Sequence, residues 1–394
     1  MIESTRRAAV MATFALSATV TALACTNDFG ALSSAASGDA STPTGDGAIV
    51  DAGTNEGSTL DGSPASCAPR SGVLANVFLA PSTGARHHVD PLGDDTNPGT
   101  AEKPWRTVQR AVDLLAPGET AFVHGGTYPD FVVWTRAGSA AAPITLQGDL
   151  ASPAIFTDTF QLKGQFTRVS GLVFDGTLRT GTVFPLLAVR AADVEVSGNE
   201  FRAAKGIALE GFVEGTIQPS RGRVFGNWFH DGAQGVVWHS GIGTIIAGNL
   251  FHDHTDASIV LDPSPQETFV LSNTIARGRV GVVLGVSSSS FTRSTSVINN
   301  VITNQKEQGV FAGNTNAGLA RRNFFNANSS PTSASITQSE NVLGTDPLYV
   351  ATRDFHLQPT SQALGVADLA FTPPVDRDGR CRPIGDPDVG AYEQ

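Results

Sequence analysis

The sequence of 394 residues has few charged side chains, 16% of the total, and its formal net charge is -11. Proteins that bind nucleic acid neutralise phosphates with clustered lysine and arginine. No basic stretch of that kind occurs here, so nucleic acid is excluded as a partner. The negative charge also disfavours an anionic polysaccharide, unless a divalent cation bridges the carboxylates of protein and ligand or the acidic groups lie away from the groove.

Several catalytic signatures are absent as well. The sequence has no Gly-x-Ser-x-Gly elbow, no cysteine or histidine spacing typical of zinc sites, and no phosphate-binding loop. Lysine is scarce, which weakens any mechanism that depends on a lysine base. What the sequence does contain is glycine, serine, threonine, valine and asparagine, a composition typical of a β-rich body with many turns. A helical bundle is excluded.

The first 25 residues have the pattern of a secretory signal peptide. Arg6 and Arg7 precede an uncharged, alanine-rich stretch over 8–24, which is too short for a permanent membrane span. The stretch ends in Ala22-Leu23-Ala24-Cys25, which resembles the lipobox of bacterial lipoproteins, although Ala22 stands where leucine is usual. We therefore expect a secreted or cell-surface protein with lipidated Cys25, the alternative being simple cleavage and free secretion. Any contact with a membrane would be through that lipid.

Residues 26–70 form a linker of serine, threonine, glycine, alanine and aspartate, which lacks the apolar residues that folding requires. The body of the protein is predicted over 71–394. If Cys25 is lipidated, Cys67 and Cys381 remain as a pair that can form one disulfide in an oxidising compartment. Because these two residues bracket the body, a stack of coils would separate them unless one terminus folds back.

The body contains an irregular repeat marked by asparagine. The clearest copies are Gly198-Asn199-Glu200-Phe201, Gly226-Asn227-Trp228-Phe229 and Gly248-Asn249-Leu250-Phe251; weaker copies follow at Asn273, Asn300 and Asn323, and Leu172 occupies the same place upstream. The steps between these positions are 22 to 28 residues, as expected for single coils of a β-helix with variable loops. Stacked asparagines can satisfy each other's hydrogen bonds, so we interpret this column as a structural ladder without a catalytic role.

A second short strand follows each asparagine. Its alternating pattern predicts that one column of aliphatic residues points inward and stacks from coil to coil. The predicted column is Ile207, Val236, Ile259, Val282 and Val310. Upstream, the segment Trp105–Leu115 has an apolar stripe at helical spacing and is predicted to be a helix that covers the open first coil.

The N-terminal part of the body resembles the pectate-lyase-like β-helix superfamily. The resemblance rests on His88-Val89-Asp90, Asp94-Asp95-Thr96-Asn97-Pro98-Gly99-Thr100, the Trp105–Leu115 helix, Pro117-Gly118-Glu119-Thr120, Gly125-Gly126-Thr127-Tyr128 and Ala142-Pro143-Ile144-Thr145-Leu146. It implies an all-β fold, a single-stranded right-handed parallel β-helix with an N-terminal capping α-helix. It does not identify a reaction, because the superfamily includes lyases, hydrolases, epimerases, adhesins and inactive members.

The C-terminal sequence resembles the closing segment of bacterial surface β-helix proteins of the choice-of-anchor type. The matching residues are Asp376-Arg377-Asp378-Gly379-Arg380-Cys381 and Asp386-Pro387-Asp388-Val389-Gly390-Ala391-Tyr392-Glu393. The resemblance implies a cap over the last coil, from about residue 345 onward.

Aligning the coils by the asparagine register predicts columns of polar side chains. The position after each repeat phenylalanine gives Asp175, Arg202, His230 and His252, and the next gives Asp231 and Asp253. The end of the second strand gives Glu210, His239 and Asp262 on three successive coils, and His254, Asp256 and Lys205 lie nearby. If these columns point outward, the middle coils carry a surface rich in carboxylates and imidazoles.

This surface suggests a site for an acidic, uronate-containing glycan. Ca²⁺ bound by Glu210, Asp262 or the acidic group of Asp231, Asp253 and Asp256 would neutralise the uronate, and His239 or Lys205 would remove a ring proton in a β-elimination. His230, His252, Arg202 and His254 would contact the substrate. The motifs of pectin hydrolases are absent, and so is an intact lyase motif.

Other interpretations stay open. Glu210 and Asp262 are an alternative acid and base pair of a glycoside hydrolase. The surface could also belong to a non-catalytic module that binds glycans or proteins, or the polar residues could only terminate strands through turn hydrogen bonds. We expect a monomer whose partner is a polysaccharide or a cell-surface glycan.

Overall fold

The computed structural model describes residues 67–75, 77–179, 184–263, 265–285, 294–313 and 318–394. All of them fall within one compact unit, Ser58–Gln394. The predicted signal peptide, Cys25 and the linker up to residue 66 lie outside the described residues. Within the described ranges, no helix has the length and hydropathy needed to cross a membrane.

These residues form one α-helix, two 3-10 turns and 32 strands. The helix α1 is Val108–Leu114, and the 3-10 turns are Gly72–Leu74 and Leu369–Phe371. In chain order the strands are β1 Arg86–Val89, β2 Thr120–Val123, β3 Gly126–Tyr128, β4 Val132–Trp134, β5 Ile144–Gly148, β6 Ala154–Phe156, β7 Phe160–Leu162, β8 Thr167–Ser170, β9 Val173–Asp175, β10 Leu187–Val189, β11 Val194–Ser197, β12 Glu200–Arg202, β13 Ile207–Gly211, β14 Arg223–Phe225, β15 Trp228–His230, β16 Gln234–Trp238, β17 Ile245–Ala247, β18 Leu250–His252, β19 Ala257–Leu261, β20 Phe269–Leu271, β21 Thr274–Ala276, β22 Val280–Leu284, β23 Ser296–Ile298, β24 Val301–Thr303, β25 Gln308–Ala312, β26 Leu319–Arg321, β27 Phe324–Asn326, β28 Ser330–Thr332, β29 Thr337–Ser339, β30 Val342–Leu343, β31 Tyr349–Ala351 and β32 Asp354–Leu357.

The strands form three long parallel sheets that the chain visits in turn. Sheet A has eleven strands (β1-β2-β5-β8-β11-β14-β17-β20-β23-β26-β29), sheet B has ten (β3-β6-β9-β12-β15-β18-β21-β24-β27-β30) and sheet C has nine (β4-β7-β10-β13-β16-β19-β22-β25-β28). From β2 onward each coil contributes one strand to A, then B, then C, so equivalent residues stack at about 4.8 Å. This is the predicted single-stranded parallel β-helix.

Side chains from all three sheets fill the interior in columns. The phenylalanines of sheet B stack face to face: the ring centroids of Phe174, Phe201, Phe229 and Phe251 are 4.6–4.8 Å apart along the column. In sheet C the aliphatic column contains Val236, Ile259, Val282 and Val310 as predicted.

One member of that column is wrong by two positions. Leu209, not Ile207, pairs with Val236, and Ile207 pairs with Gln234. The prediction aligned Gly206 with Gly235, but Gly206 precedes its strand whereas Gly235 lies within one. A Cβ on Gly235 would lie 2.9 Å from the Phe251 ring, so this position turns inward and its partner in the previous coil is Ala208.

The asparagine column is the predicted ladder. Each Nδ2 donates to the Oδ1 of the next coil at 2.9–3.1 Å, and each Oδ1 also accepts a backbone N–H from the previous coil. Asn341 extends the ladder by one coil beyond Asn323. The residue before each asparagine has a positive φ, about 63° at Gly198 and 51° at Arg322, which explains why the repeat begins with glycine where it is clearest.

Helix α1 lies at the N-terminal end of the solenoid, where it packs against β1, β2 and β4. Thr107 caps it by accepting a hydrogen bond from the Arg110 amide, and Ala111, Val112 and Leu115 are fully buried in the core. Trp105 precedes the helix but is buried beside it, as the apolar stripe predicted.

A segment before β1, described over residues 67–75 and 77–80, runs along the outside of sheet A; we call it the N-terminal strap. Leu74 and Val77 pack on the outward residues Phe225 and Leu271 of sheet A. A buried ion pair fastens its far end: Arg168 donates to Glu195 at 2.9 Å, and Glu195 accepts the Leu79 amide at 2.7 Å.

The C-terminal segment, residues 345–394, also folds back along the solenoid. Its hairpin of β31 and β32 and the chain around Val389–Tyr392 pack on the outward face of sheet B. The Ala391 amide donates to Thr274 Oγ1 at 3.0 Å, and the Gly390 amide donates to the Asn299 carbonyl at 2.9 Å. The segment therefore covers the flank of the middle coils, which corrects the prediction of a cap over the last coil.

The strap and the C-terminal segment meet, and a disulfide joins Cys67 to Cys381 with 5.3 Å between their Cα atoms. Arg70 reinforces the junction by donating to the carbonyls of Thr372 and Arg382. Because both termini fold back, the distance that stacked coils impose on the ends of the body does not separate the two cysteines.

Candidate functional site

At the carboxyl edge of sheet C the outward side chains of successive coils form a row. Because Val189, Gly211 and Trp238 pair with one another, the residues that follow them occupy equivalent positions on successive coils. The row that follows from this register is Lys163, Arg190, Phe212, His239 and Asp262, with Gly285 and Gly313 beyond. His239 and Asp262 are therefore on adjacent coils, as predicted.

Glu210 is not in this row. It pairs with Val237, two residues before His239, because of the same two-residue shift that displaced Ile207. Its carboxylate nevertheless reaches His239 diagonally across the coils, with 3.3 Å between Glu210 Oε1 and His239 Nε2. The other oxygen accepts a hydrogen bond from Arg190 at 2.5 Å. The structure thus brings Glu210 and His239 together, although the two residues do not stack in one column as predicted.

The electrostatics of Glu210 follow from these partners. Its side chain is 14% exposed, and burial alone would raise its pKa. Hydrogen bonds from His239 and Arg190, together with the positive charge of Arg190, outweigh burial and lower the pKa of Glu210 below its ordinary value. Glu210 is therefore a stable carboxylate that orients an imidazole and a guanidinium.

Phe212 and Arg190 border His239 and Glu210, and the pair of Lys163 and Glu214 lies further along the same flank. Phe212 is 42% exposed; its ring meets His239 edge to face at 5.1 Å, and the Arg190 guanidinium lies 5.4 Å from its centroid. Lys163 forms a more exposed ion pair with Glu214 at 2.7 Å. We call Lys163, Arg190, Glu210, Phe212, Glu214 and His239 the Glu210 cluster.

The site predicted from the sequence does not include Arg190, Phe212, Lys163 and Glu214. Arg190 and Lys163 could have been found by extending the row of His239 to the preceding coils, because they hold the same place after their strands. Glu214 lies in a loop whose length no register predicts.

Lys205 does not join this cluster. It precedes β13, whereas Glu210 lies near the end of that strand, five residues along an extended chain or roughly 16 Å. Its Nζ donates to the Arg179 carbonyl. The structure therefore separates Lys205 from the other three predicted catalytic residues.

A second group of polar side chains lies on the outward face of sheet B. As predicted, Asp175, Arg202, His230 and His252 stack in one column. Arg202 bonds Asp175 at 2.8 Å and Glu200 at 3.1 Å. His230 lies between Glu200 and Asp231, and hydrogen bonds to both raise its pKa against the opposing effect of burial.

The next coil of this column is covered by the C-terminal segment. His252 is 2% exposed, accepts the Trp228 indole N–H at 2.8 Å, and stacks on Phe355 at 5.2 Å. Arg277 binds Asp253 through two hydrogen bonds of 2.8 and 2.7 Å, which lower the pKa of that carboxyl well below its usual range. His252 is thus packed beneath the C-terminal segment, and a polymeric substrate could contact it only by disrupting that packing.

His254 points inward rather than to the surface. It is 3% exposed, and Ser258 Oγ lies 3.3 Å from its Nδ1. Burial, reinforced by the nearby His252 and His230, lowers the pKa of His254 to about 3. A substrate on the surface cannot reach this ring, which corrects its predicted role in binding.

The three predicted calcium ligands are each engaged by cations or polar groups. Asp231 pairs with His230 at 2.8 Å, Asp253 with Arg277, and Asp256 with Arg279. Among the described residues no three His, Cys, Asp or Glu side chains converge in a group that could hold a metal ion. Calcium prefers several convergent oxygen ligands, so this donor set does not fit it.

The fold defines the class of protein, a right-handed parallel β-helix. A family model described as a right-handed β-helix region matches residues 170–330. The chain superposes on the crystal structure of the pectate lyase Pel9A with a TM-score of 0.58 and 16% identity, over 80% of this chain and 97% of that one. At this identity the likeness to Pel9A shows the fold of the chain and no more.

Two sequence relatives share a short stretch. An uncharacterized Bacillus subtilis protein, YwoF, is 35% identical over 86 residues, which is 19% of this chain and 18% of the relative. The pectate lyase PEL9 of Emericella nidulans is 37% identical over 77 residues, again 19% of this chain and 18% of the relative. The chain thus matches less than a fifth of the length of either relative.

Proposed function

We propose that this protein acts on a polysaccharide and that the Glu210 cluster is where the glycan binds. The observation that carries the proposal is the contact of His239 with Glu210, while Arg190 holds the same carboxylate from the other side. It is supported by the relatives, since one sequence relative and one structural neighbour are named as pectate lyases. The substrate we propose is an acidic, uronate-containing glycan.

The reaction we propose is β-elimination. Glu210 fixes the imidazole, and a proton on the Nε2 that faces Glu210 makes Nδ1 the basic nitrogen of the neutral His239 ring. His239 would take the proton from the carbon beside the uronate carboxylate, the bond to the leaving sugar oxygen would break, and a carbon–carbon double bond would form. Water would protonate the leaving oxygen, so the proton count balances.

In the row, three coils, roughly 14 Å, separate His239 from Lys163, so Lys163 offers a cation for the carboxylate of another uronate along the glycan. Its partner Glu214 is 49% exposed, and exposed ion pairs contribute little free energy, about 0 to 1 kcal/mol. A substrate carboxylate can therefore replace Glu214 at small cost. No step is routed through calcium, since the carboxylates that would bind it are paired with cations.

A glycoside hydrolase fits the cluster less well. A hydrolase needs one carboxyl group that stays protonated, and such groups have raised pKa values. The pKa of Glu210 is lowered instead. In the predicted pair of Glu210 and Asp262, Glu210 would therefore have to serve as the base.

The test is the release of unsaturated uronides, followed by ultraviolet absorbance, from polygalacturonate, alginate and other acidic glycans. Each reaction is run with added calcium and with a chelator. His239→Ala should lower the rate by a hundredfold or more, about the contribution of a general base. Asp130→Asn, in the β3–β4 connection, is the matched control. No product from any acidic glycan with folded protein would refute the lyase.

A second candidate is a surface module that binds a glycan without turnover. It is favoured by the pairing of the carboxylates, because Glu210, Asp253 and Asp256 are each neutralised by an arginine. Such a module would retain glycan binding in His239→Ala and Asp262→Ala and would give no product at all. Co-sedimentation with the same glycans distinguishes the two candidates.

We also propose that the chain is exported and held at the cell surface by lipid on Cys25. The disulfide between Cys67 and Cys381 supports an oxidising compartment. Fatty-acid labelling and cell fractionation of the full chain and of Cys25→Ser test this. Secretion of both forms without label would refute the anchor.

A further inference from the structure

A cavity of about 390 Å³ lies between the flank of sheet B and the C-terminal segment. Its floor is formed by Arg277 and Asn304, which hold the same place on adjacent coils, and its wall by Tyr349 and Phe355 of the terminal hairpin. Ligand pockets in proteins measure roughly 300 to 1,000 Å³, so the cavity has the size for a small molecule. It lies on sheet B, apart from the Glu210 cluster on sheet C.

The walls of this cavity are held in place by hydrogen bonds. The Tyr349 hydroxyl lies 3.2 Å from Thr303 Oγ1, and Gln358 Nε2 donates to the Tyr349 carbonyl at 2.9 Å. Arg277 is fixed by Asp253 and lies 4.9 Å from the Phe355 ring centroid. A ligand would therefore meet a preformed surface and lose little free energy to ordering it.

Three polar side chains on the cavity lining have hydrogen-bonding capacity left. Asp346 uses Oδ1 to accept the Leu348 amide at 2.9 Å, and its Oδ2 has no partner in the described part of the chain. The same holds for the Asn304 side-chain amide and for Gln358 Oε1. Together they offer acceptors and one amide donor group, which suits hydroxyls that both donate and accept.

The charge of the lining selects against anions. Arg277 is neutralised by Asp253, so Asp346 is the lining charge without a counter-ion in the described residues. An acidic sugar would face that carboxylate, and like charges at close range repel. A metal ion would find only one carboxylate among the lining residues, too few for a cation site.

We propose that this cavity is a second carbohydrate site, which takes a neutral pyranose unit. Asp346 would accept hydrogen bonds from sugar hydroxyls, Asn304 and Gln358 would complete the polar contacts, and Leu348 with Ala351 would pack on the apolar carbons. The site goes beyond the proposed function and does not depend on it, since it shares no residue with the Glu210 cluster.

The test is titration of the folded chain with glucose, galactose, mannose, xylose and glucuronic acid, followed by calorimetry and ligand-detected NMR. At least one neutral sugar should bind saturably, and more tightly than glucuronic acid. Asp346→Asn and Asn304→Ala should each weaken binding about tenfold, the effect of losing a hydrogen bond to a charged or well-placed group. Asp130→Asn and His239→Ala should leave it unchanged.

Three results would overturn the proposal: no saturable binding of any neutral sugar, equal binding by the Asp346→Asn protein, or tighter binding of glucuronic acid. Loss of binding in His239→Ala would also overturn it, because the sugar would then occupy the Glu210 cluster. A protein that binds neutral sugars but releases no uronide supports this site while refuting the lyase, so the two proposals fail separately.

Discussion

Cys67 and Cys381 are 314 positions apart in the sequence, yet their disulfide joins the N-terminal strap to the C-terminal segment. The strap lies on sheet A and the segment on sheet B, so the bond closes a belt around two faces of the solenoid. The parallel coils themselves do not need this bond, because each is hydrogen-bonded to its neighbours along the axis. We therefore expect the disulfide to stabilise the N-terminal strap and the C-terminal segment more than the coils beneath them.

Replacing both cysteines tests this. Cys67→Ser with Cys381→Ser should lower the free energy of unfolding by about 2 to 5 kcal/mol, since the closed loop in the unfolded chain is lost. The circular dichroism of the folded β-helix should be unchanged, while limited proteolysis should cut within residues 67–80. Equal protease resistance of the variant and the parent would show that the packing of the strap suffices.

Replacing an asparagine of the ladder should lower the free energy of unfolding by an amount that depends on its position in the ladder. Asn249 is fully buried, and its amide makes hydrogen bonds to Asn273 Oδ1 and to the carbonyls of Val224 and Ala247. Asn249→Ala leaves several of these buried groups without partners, so we expect a loss of about 3 kcal/mol in denaturant unfolding.

Asn341→Ala is the matched control, because Asn341 is at the end of the ladder and only partly buried. We expect about 1 kcal/mol there. Equal losses at both positions would mean that the ladder does not act through burial of its polar groups.

Much of the fold could be predicted from the sequence because it depends on local repetition. The asparagine, the phenylalanine two residues later and the alternating strand each recur within one coil, so the sequence contains the register directly. The error at Ile207 arose where the turn between β12 and β13 has a different length from the turn between β15 and β16. Ala208 and Leu209 both lie in the core, whereas Ile207 packs against the separate cluster of Val237 and Val260, so the alternation on which the prediction relied is interrupted here.

The candidate site was less predictable because it depends on contacts between coils and with the ends of the chain. His239 and Glu210 were both predicted, but they meet diagonally across the coils, and Arg190, which binds Glu210, was not predicted. His252 and Asp253 follow the repeat like their neighbours, and only the fold-back of Phe355 shows that they are covered. Residues 345–394 have no repeat, so no register predicts where they pack.

The ion pair beneath the strap gives a third prediction. Glu195 is fully buried and is bonded by Arg168, Ser197 and the Leu79 amide. Glu195→Ala leaves the Arg168 charge buried without its partner, so the free energy of unfolding should fall by about 3 to 5 kcal/mol.

The exposed pair of Arg322 with Glu340 is its control. Glu340→Ala should cost at most about 1 kcal/mol in the same denaturation experiment. If the two variants lost similar free energy, the buried pair would not be what holds the strap.

His254 gives a prediction about how the free energy of unfolding depends on pH. Its pKa in the folded protein is about 3, so between pH 6.5 and 3 the unfolded chain binds a proton that the folded protein does not. Stability therefore falls as the pH falls through this window, by about 2 kcal/mol between pH 6.5 and 5. In His254→Gln that contribution disappears. Glutamine fits the column, since Gln305 occupies the same place two coils away.

The measurement is the free energy of unfolding of the parent and of His254→Gln at pH 7, 6 and 5. The parent should lose more stability on acidification, and the difference between the two proteins should grow toward pH 5.

His230→Gln is the opposing control. The pKa of His230 is raised by Glu200 and Asp231, so its contribution is present at low pH and is lost as the pH rises through that pKa. Removing His230 should therefore steepen the loss of stability on acidification. Parallel pH profiles for all three proteins would mean that neither histidine titrates as its surroundings require.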